Sequence, residues 1–499
     1  MAFVQNFPFF AIMLYLAGGV ICAVLRPKAA KWYCLAVNGA VMLLLLATFF
    51  FVAGKGESYV YLMGHFPAPW GNEIRIGTLE ALTGAAFAGV MLFSLLGGME
   101  HIFEDCEPEK VNLYFTVICL LMSSLMALVF TNDLFTAYVF VEINTIASCA
   151  LVMLKYNTGR PLIATARYLT MSLLGSSMFL IGIILLYSVS GHLLMEDIGE
   201  AVQTMFADGR YEFPLTVIIG LFSISMAIKS ALFPFHAWLP DAHGSATATS
   251  SAVLSGLVLK GYIFLLIKIF YRVIGMNVIA AEHITNILFV FGALAMVAGS
   301  IRALQERDLK RMLAFSSVAQ IGYIFLGIGM DNEAGMVAAC IQILAHAFTK
   351  PMLFCAAGGF MSVSGGSKKM EDITGAGYRD PLGGAAFTVG ALSMIGIPLF
   401  AGFVTKLHLT TAAVSLGGFK SVAGIAVIVV STLLNALYYI PVIGNLYARP
   451  KDGRWEGVKA RYHWEYAAAM VVFILLNLFY GICSGGFVQA IESGLGMFG

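Results

Sequence analysis

Long apolar runs separated by short polar stretches dominate the sequence. A helix that crosses a bilayer needs about 20 mostly apolar residues, and fourteen segments meet that requirement. They are Phe7–Leu25, Trp32–Ala53, Thr78–Gly97, Val111–Phe130, Leu134–Leu154, Tyr168–Val189, Leu215–Trp238, Ala248–Phe270, Ile284–Ile301, Met312–Gly329, Met336–Met361, Gly384–Ala413, Val422–Tyr447 and Trp464–Val488. The pattern predicts an all-α polytopic membrane protein with fourteen transmembrane helices.

Basic residues are unevenly distributed among the loops. Numbered from the amino end, the odd loops hold most of the loop Lys and Arg residues. The positive-inside rule places such loops in the cytoplasm and therefore both termini outside. The first segment lacks the basic leader of a signal peptide and is followed by Arg26, Lys28 and Lys31, so we expect it to be retained.

Composition agrees with a membrane chain and excludes several functions. Hydrophobic residues make up 60% and charged residues 11% of the 499 residues, whereas soluble domains contain roughly 25% charged residues. The net charge of +1, without a block of like charges, predicts no nucleic-acid partner. The eight cysteines show neither C-x-x-C nor metal-ligand spacing, so we expect no metal and no cofactor. We also expect the chain alone to catalyse no covalent chemistry, because it shows no nucleophile with its base and no phosphate-binding glycine loop.

Several ionisable residues fall within the apolar segments. Such a group costs roughly 2.5–3.5 kcal/mol at the bilayer centre even on lenient scales, so it needs a partner, water or a role. The candidate site residues are Glu142 in the fifth segment, Lys229 in the seventh, Lys260 in the eighth, His346 and Lys350 in the eleventh, and Lys406 in the twelfth.

Prolines interrupt two of the host segments. Pro234 follows Lys229 by five residues, and Pro398 precedes Lys406 by eight. Because proline removes a backbone donor and clashes with the preceding turn, we expect helices seven and twelve to be broken. Irregular backbone is tolerated at membrane depth only within protein or beside a wet cavity. The two breaks lie five segments apart, as expected of inverted five-helix repeats.

A carboxylate that approaches or leaves a buried amine changes how tightly the amine holds its proton. We therefore interpret the lysines and His346, linked by water, as a proton relay in which Glu142 controls Lys229.

These residues lie in motifs of one known family. The motifs are "TNDLFTAYVFVEINTIASCALV", "MAIKSALFPFHAWLPDAH", "AVLSGLVLKGYIF", "LQERDLKRMLAFSSVAQIGYIFLGIG", "LAHAFTKPMLF" and "GIPLFAGFVTK". Together they resemble the antiporter-like subunits shared by respiratory complex I, group 4 membrane-bound hydrogenases and Mrp cation/proton antiporters. The resemblance extends from about Val111 to Tyr447 and is closest to the Mrp-type and hydrogenase-type subunits.

The resemblance implies roles for the matching residues. Glu142 and Lys229 would form a coupled pair, Lys260 the bridging residue, His346 a central residue, and Lys406 the terminal site of the second half-channel.

The resemblance also implies an organisation of the chain. Three helices would occupy residues 1–110. Two inverted repeats would then follow, helices four to eight in residues 111–273 and helices nine to thirteen in residues 284–447. Helix fourteen would occupy residues 448–499.

The partners implied are other membrane subunits, further antiporter-like subunits and a peripheral redox arm, with H⁺ and Na⁺ as the ions and the plasma membrane as the location.

Two departures from the family stand out. "GSATATSSAVLSG" follows "PDAH" where a proline-containing turn is usual, and the third segment begins "GTLEAL" where an aspartate is common. The first departure predicts a different start to the eighth helix.

The favoured hypothesis is a proton-translocating subunit of a redox-driven pump or a cation/proton antiporter. Two alternatives remain at this point: a stand-alone transporter of a small solute, and a structural subunit that no longer conducts.

Overall fold

The computed structural model describes residues 3–67, 70–155, 160–209, 211–449, 458–460 and 462–498. Within these residues, thirteen helices are long and apolar enough to cross a membrane. The twelfth predicted span is present as two half-helices, Pro381–Ile395 and Ala401–Leu416. The prediction of an all-α polytopic membrane protein is confirmed.

The amino-terminal part combines helices with a β-hairpin in the second loop. Its elements are the 3-10 turn Phe3–Asn6, α1 (Phe7–Val24), α2 (Pro27–Lys55), β1 (Tyr59–Leu62), the 3-10 turn Met63–His65, β2 (Glu73–Ile76), α3 (Thr78–Gly97), α4 (Met99–Asp105) and the 3-10 turn Pro108–Lys110. The strands are antiparallel, with Tyr59 opposite Ile76. The apolar pattern did not predict this hairpin, because each strand is only four residues long.

The middle part contains the fourth to eighth predicted spans. Its elements are α5 (Val111–Phe130), α6 (Leu134–Met153), α7 (Arg160–Ser190), α8 (Met195–Ala207), α9 (Glu212–Lys229), the 3-10 turn Phe235–Ala237, α10 (Trp238–Ser245), α11 (Ala248–Val253), the π-helical segment Leu254–Val258, α12 (Leu259–Lys268) and the π-helical segment Ile269–Ile274. The eighth span is therefore helical throughout but contains two π-helical segments.

The carboxyl-terminal part contains the remaining spans. Its helices are α13 (Met276–Ala281), α14 (Ile284–Gln305), α15 (Leu309–Gly329), α16 (Glu333–Ser362), α17 (Ala376–Arg379), α18 (Pro381–Ile395), α19 (Ala401–Leu416), α20 (Gly418–Leu446), α21 (Trp464–Ile482) and α22 (Ser484–Gly496).

Short polar side chains begin several of the spans. Asp133 accepts a hydrogen bond from the backbone N–H of Thr136, before α6, and Asp308 accepts from Arg311 at the start of α15. Asn332 does the same for α16. Each oxygen satisfies one of the backbone donors that a helix leaves free at its amino end.

Three spans form the centre of the bundle. In Ala248–Ile274, Leu309–Gly329 and Glu333–Ser362 the whole apolar window is buried, whereas the window of Gly418–Leu446 is only 33% buried. Most of the candidate basic residues lie on the central spans, so other helices surround them.

Both ends of the described chain lie on the hairpin face. The Tyr59 hydroxyl donates to the carbonyl oxygen of Gln5, and the Thr78 hydroxyl, directly after the hairpin, contacts the sulfur of Met497. A chain that crosses the membrane an even number of times must have both ends on the same face. The outward orientation of that face stays a prediction.

The break in the seventh span begins earlier than its proline. Helix α9 ends at Lys229, Ala231 has a left-handed φ of 58°, and α10 begins only at Trp238. The N–H of Leu232 donates to the carbonyl of Ala227 at 2.9 Å, so one of the free carbonyls in the last turn of α9 is hydrogen-bonded within the protein. The predicted break is confirmed, and Lys229 is its last helical residue.

The break in the twelfth span is also confirmed. Gly396 has a φ of 91° after α18. The N–H groups that open α19 are satisfied by side chains: Ser393 Oγ accepts from Gly402 at 3.0 Å and Asn477 Oδ1 from Ala401 at 3.3 Å. These side chains thus provide hydrogen bonds to backbone N–H groups that lipid could not satisfy.

Glycines allow the backbones of α14 and α15 to touch. A Cβ atom on Gly322 would lie 2.7 Å from the carbonyl oxygen of Gly292, and one on Gly299 would lie 2.7 Å from the backbone nitrogen of Ala319. Small residues permit such close approach between membrane helices.

We expect Gly322→Ala to lower the stability of the protein by about 1–3 kcal/mol, the typical cost of overpacking. The matched control is Gly444→Ala in α20, where no atom lies within 4 Å of the new Cβ. Alanine should raise helix stability there. Thermal unfolding of the purified protein in detergent measures both, and equal shifts for the two variants would contradict the close-packing interpretation.

Candidate functional site

The predicted pair Glu142 and Lys229 comes together between α6 and α9. Lys229 Nζ lies 4.0 Å from Glu142 Oε1, and the side chains are 22% exposed for the glutamate and 0% for the lysine. Among the described residues Oε1 has no hydrogen-bond donor within reach. The two groups therefore form an ion pair without a direct hydrogen bond between them.

A neutral network completes the surroundings of Lys229. Its ammonium donates to Thr145 Oγ1 at 2.7 Å and lies 5.7 Å from the centre of the Tyr262 ring. The Tyr262 hydroxyl donates to Asn144 Oδ1 at 3.0 Å, and the Asn144 amide donates to Ser124 Oγ at 3.0 Å. Sequence reasoning missed these neutral residues, since Ser, Thr, Tyr and Asn are common in membrane helices.

Lys260 lies where the eighth span changes its winding. Its ammonium donates to the carbonyl oxygen of Ser255, inside the π-helical segment. The Ser255 and Ser317 hydroxyls are 2.8 Å apart, which connects this helix with α15. Tyr262, which belongs to the network around Lys229, lies on the same span as Lys260, but residues two positions apart face different sides of a helix.

A polar stripe runs along α16. Gln342, His346 and Lys350 recur every four residues, a spacing that places them on the same face of a helix. All three are buried. The amide of Gln342 donates to Gln320 Oε1 on α15 at 2.7 Å. This spacing was visible in the sequence, but the glutamine was not among the predicted residues.

The two predicted residues of this stripe differ in their contacts. Lys350 donates to the carbonyl of Leu313 at 2.8 Å, to the Ser316 hydroxyl, and to the Tyr439 hydroxyl at 3.4 Å. Neither ring nitrogen of His346 has a hydrogen-bond partner among the described residues. A buried imidazole with both nitrogens available is suited to accept and release protons.

Charge interactions connect this centre. Lys350 and His346 both interact electrostatically with Lys260. Lys260 therefore lies close enough to both side chains for their charges to interact.

Lys406 lies at the second break, as predicted. Its ammonium donates to the carbonyl oxygen of Ile395, the last residue of α18, and to Thr432 Oγ1 at 3.0 Å. The Tyr323 ring lies 5.3 Å away. A Cβ on Gly396 would collide with the Lys406 side chain at 2.5 Å, so the glycine makes room for the amine.

The six predicted residues thus extend from one break to the other. Glu142 and Lys229 form a pair, Lys260, His346 and Lys350 form a central cluster, and Lys406 lies at the far end. Among the described residues no direct hydrogen bond joins two of these six side chains, so a continuous proton path would require water between them. In the described part of the chain, no group of three or more His, Cys, Asp or Glu side chains is arranged to hold a metal ion.

Known proteins are similar to this chain in sequence and in fold. NADH-quinone oxidoreductase subunit N from Desulforudis audaxviator is 34% identical over 436 residues, covering 85% of this chain and 83% of the relative. A Na(+)/H(+) antiporter subunit from Alkalihalophilus pseudofirmus is 26% identical over 355 residues, covering 70% of this chain and 69% of the relative.

Two solved structures have the same fold along nearly the whole chain. A chain of the membrane-bound sulfane sulfur reductase, described as an archaeal respiratory membrane complex, superposes with a TM-score of 0.88 at 24% identity, covering 99% of this chain and 97% of that chain. A chain of the Mrp complex from Dietzia sp. superposes with a TM-score of 0.86 at 23% identity and the same coverage.

The family described as NADH:quinone oxidoreductase/Mrp antiporter, TM matches residues 131–434, which contain both breaks and all six candidate residues. With more than half of its length matched, this multi-pass membrane chain belongs to that family.

Proposed function

We propose that this chain is a proton-translocating, antiporter-like subunit of a multisubunit membrane complex. The observation that carries the proposal is the line of buried basic side chains between two broken helices, with its only predicted acid, Glu142, 4.0 Å from Lys229. The relatives named above are subunits of such complexes, which supports the same conclusion.

The relay works by displacement of charge. When Glu142 lies close to the Lys229 ammonium, their attraction holds the proton in place. When the two separate, the ammonium loses that attraction and its proton can pass toward Lys260. Repulsion among the charges of the central cluster carries the change on toward Lys406.

The two alternatives receive less support. A structural subunit has no need of buried lysines, which apolar residues would replace at lower cost. A stand-alone solute transporter fits poorly with relatives that are named as subunits. We propose the plasma membrane as the location, with both termini outside as the loop charges predict.

The driving reaction is either electron transfer in a peripheral arm or exchange with Na⁺. Purification of the native complex distinguishes the two. Iron–sulfur subunits that copurify with the chain would indicate the redox-driven pump, and small membrane subunits alone would indicate the antiporter.

We expect Glu142→Gln and Lys229→Met each to abolish proton movement, because either change removes half of the switch. The measurement is acidification of sealed vesicles that contain the intact complex, followed with a pH-sensitive dye. Matched controls are Glu109→Gln, in the 3-10 turn Pro108–Lys110, and Lys28→Met, at the start of α2, which alter exposed residues. Normal acidification by either site variant, in an assembled complex, would overturn the proposed function.

We expect Thr432→Val to slow proton movement by about 10-fold, since a hydrogen bond to a charged group contributes about 1.5–3 kcal/mol. Lys406 keeps only the Ile395 carbonyl in this variant. The control is Thr411→Val, an exposed threonine that donates only to the carbonyl of Leu407 among described residues. The same vesicle assay applies, and equal rates for the two variants would exclude Thr432 from the relay.

A further inference from the structure

The eighth span carries a line of basic residues, of which the proposed relay uses only Lys260. Lys260, Lys268 and Arg272 follow one another at spacings of eight and four residues, close to whole helical turns. All three are buried. Twelve residues of helix span roughly 18 Å, so the line extends from the centre of the bundle toward the hairpin face.

Lys268 is held by the end of a neighbouring helix. Its ammonium donates to the carbonyl oxygens of Val129 at 2.9 Å and Thr131 at 2.6 Å, in the last turn of α5 and its C-cap. An ammonium has three N–H groups, and these two contacts leave one available.

Arg272 forms a buried ion pair with Glu80, one turn beyond Lys268. Arg272 Nη2 lies 2.7 Å from Glu80 Oε1, and the two side chains are 2% and 0% exposed. The other carboxylate oxygen accepts from the backbone N–H of Gly77 at the start of α3. Lys268 also interacts electrostatically with both members of the pair. Because Arg272 lies one turn from Lys268 on the same span, its pairing brings a carboxylate to the part of the span that holds the amine.

The line opens into a cavity at the hairpin face. The cavity has a volume of about 190 Å³, and its lining includes Arg75, Glu196, Gln203, Arg272 and Phe498. Arg75 and Glu196 lie 3.3 Å apart at its edge, so polar groups continue from the buried pair to the surface.

The carboxyl-terminal end of the described chain covers this opening. The Phe498 ring lies 4.4 Å from the Arg272 guanidinium and 6.1 Å from the Phe264 ring, which lies between Lys260 and Lys268 in the sequence. Helix α22 fixes this position, since a Cβ on Gly494 would lie 2.5 Å from the backbone nitrogen of Leu79.

We infer that Lys268 and Glu80 form a branch of the proton path from Lys260 to the hairpin face, with Phe498 as its cover. This inference rests on the proposed function, because it takes its protons from the central cluster. Water carries a proton from Lys268 to the Glu80 carboxylate, leaving a neutral amine and a neutral acid, and then from Glu80 to the cavity that Arg272 lines. Arg272 is a positioning residue, which holds Glu80 in place and attracts it again once the proton has left.

Lys268→Arg gives the sharpest test in the intact complex. Arginine keeps the positive charge and can donate to the same carbonyls, but it does not give up its proton in proteins. We expect vesicle acidification to fall at least 10-fold while assembly is unchanged. A purely structural lysine predicts full acidification, and that result would overturn the inference.

The pair itself is tested by removing both charges together. Glu80→Leu combined with Arg272→Met leaves no buried charge without its partner, so the fold should be retained. We expect assembled complex with acidification reduced at least 10-fold. Full acidification with the pair absent would show that the pair serves stability alone.

The cover is tested by passive conductance. In vesicles with an imposed potential and no driving reaction, we expect Phe498→Ala to raise proton leak several-fold. The control is Phe419→Ala, an exposed residue on α20, and equal leak in both variants would remove Phe498 from the path.

These results remain separable from those on the main relay. If Glu142→Gln abolishes acidification while Lys268→Arg leaves it intact, only the branch is wrong. If Glu142→Gln also leaves acidification intact, the proposed function itself fails.

Discussion

The structure depends on the hydrogen-bond acceptors that surround its buried ammonium groups. An amine removed from water must find acceptors, because an isolated charge in a low-dielectric interior is very costly. In this chain the acceptors are mostly backbone carbonyls. The pairs are Lys260 with Ser255, Lys268 with Val129 and Thr131, Lys310 with Ala246, Lys350 with Leu313, and Lys406 with Ile395.

This constraint explains why lysines and irregular helices occur together. A regular helix uses its carbonyls internally, and only its last turn has oxygens to spare. Ile395 ends α18 at the second break, Ala246 is the C-cap of α10, and Ser255 lies in a π-helical segment. The prolines and the change of winding therefore do more than bend helices. At Ile395 and Ser255 they leave carbonyls free to accept from a lysine, and the partial negative charge of a helix end strengthens the contact at Ile395. Leu313, in the second turn of α15, is an exception to this pattern.

The sequence was informative at positions where the residue type is costly to bury in a membrane. A lysine or glutamate within an apolar run has few explanations, so all six candidates could be named before any geometry was known, and Pro234 and Pro398 identified both breaks. The division into residues 1–110, 111–273, 284–447 and 448–499 stays a prediction.

Neutral partners could not be predicted in the same way. Thr145 and Thr432 hold lysines, whereas Thr349 and Thr410 donate to carbonyls one turn earlier in their own helices. Nothing in the residue type separates these roles, since they depend on which helix faces which. The start of the first break was also hidden, because the turn at Ala231 is stabilised by contacts rather than by composition.

Lys229 differs from the other buried lysines in the groups that surround it. It donates to a hydroxyl and faces a carboxylate 4.0 Å away, whereas Lys260, Lys350 and Lys406 all donate to carbonyls. A carbonyl has a fixed dipole and cannot be withdrawn without disturbing a helix, but a carboxylate on a side chain can move. The Glu142 end is therefore the adjustable end, while the remaining amines respond to it and to one another through repulsion.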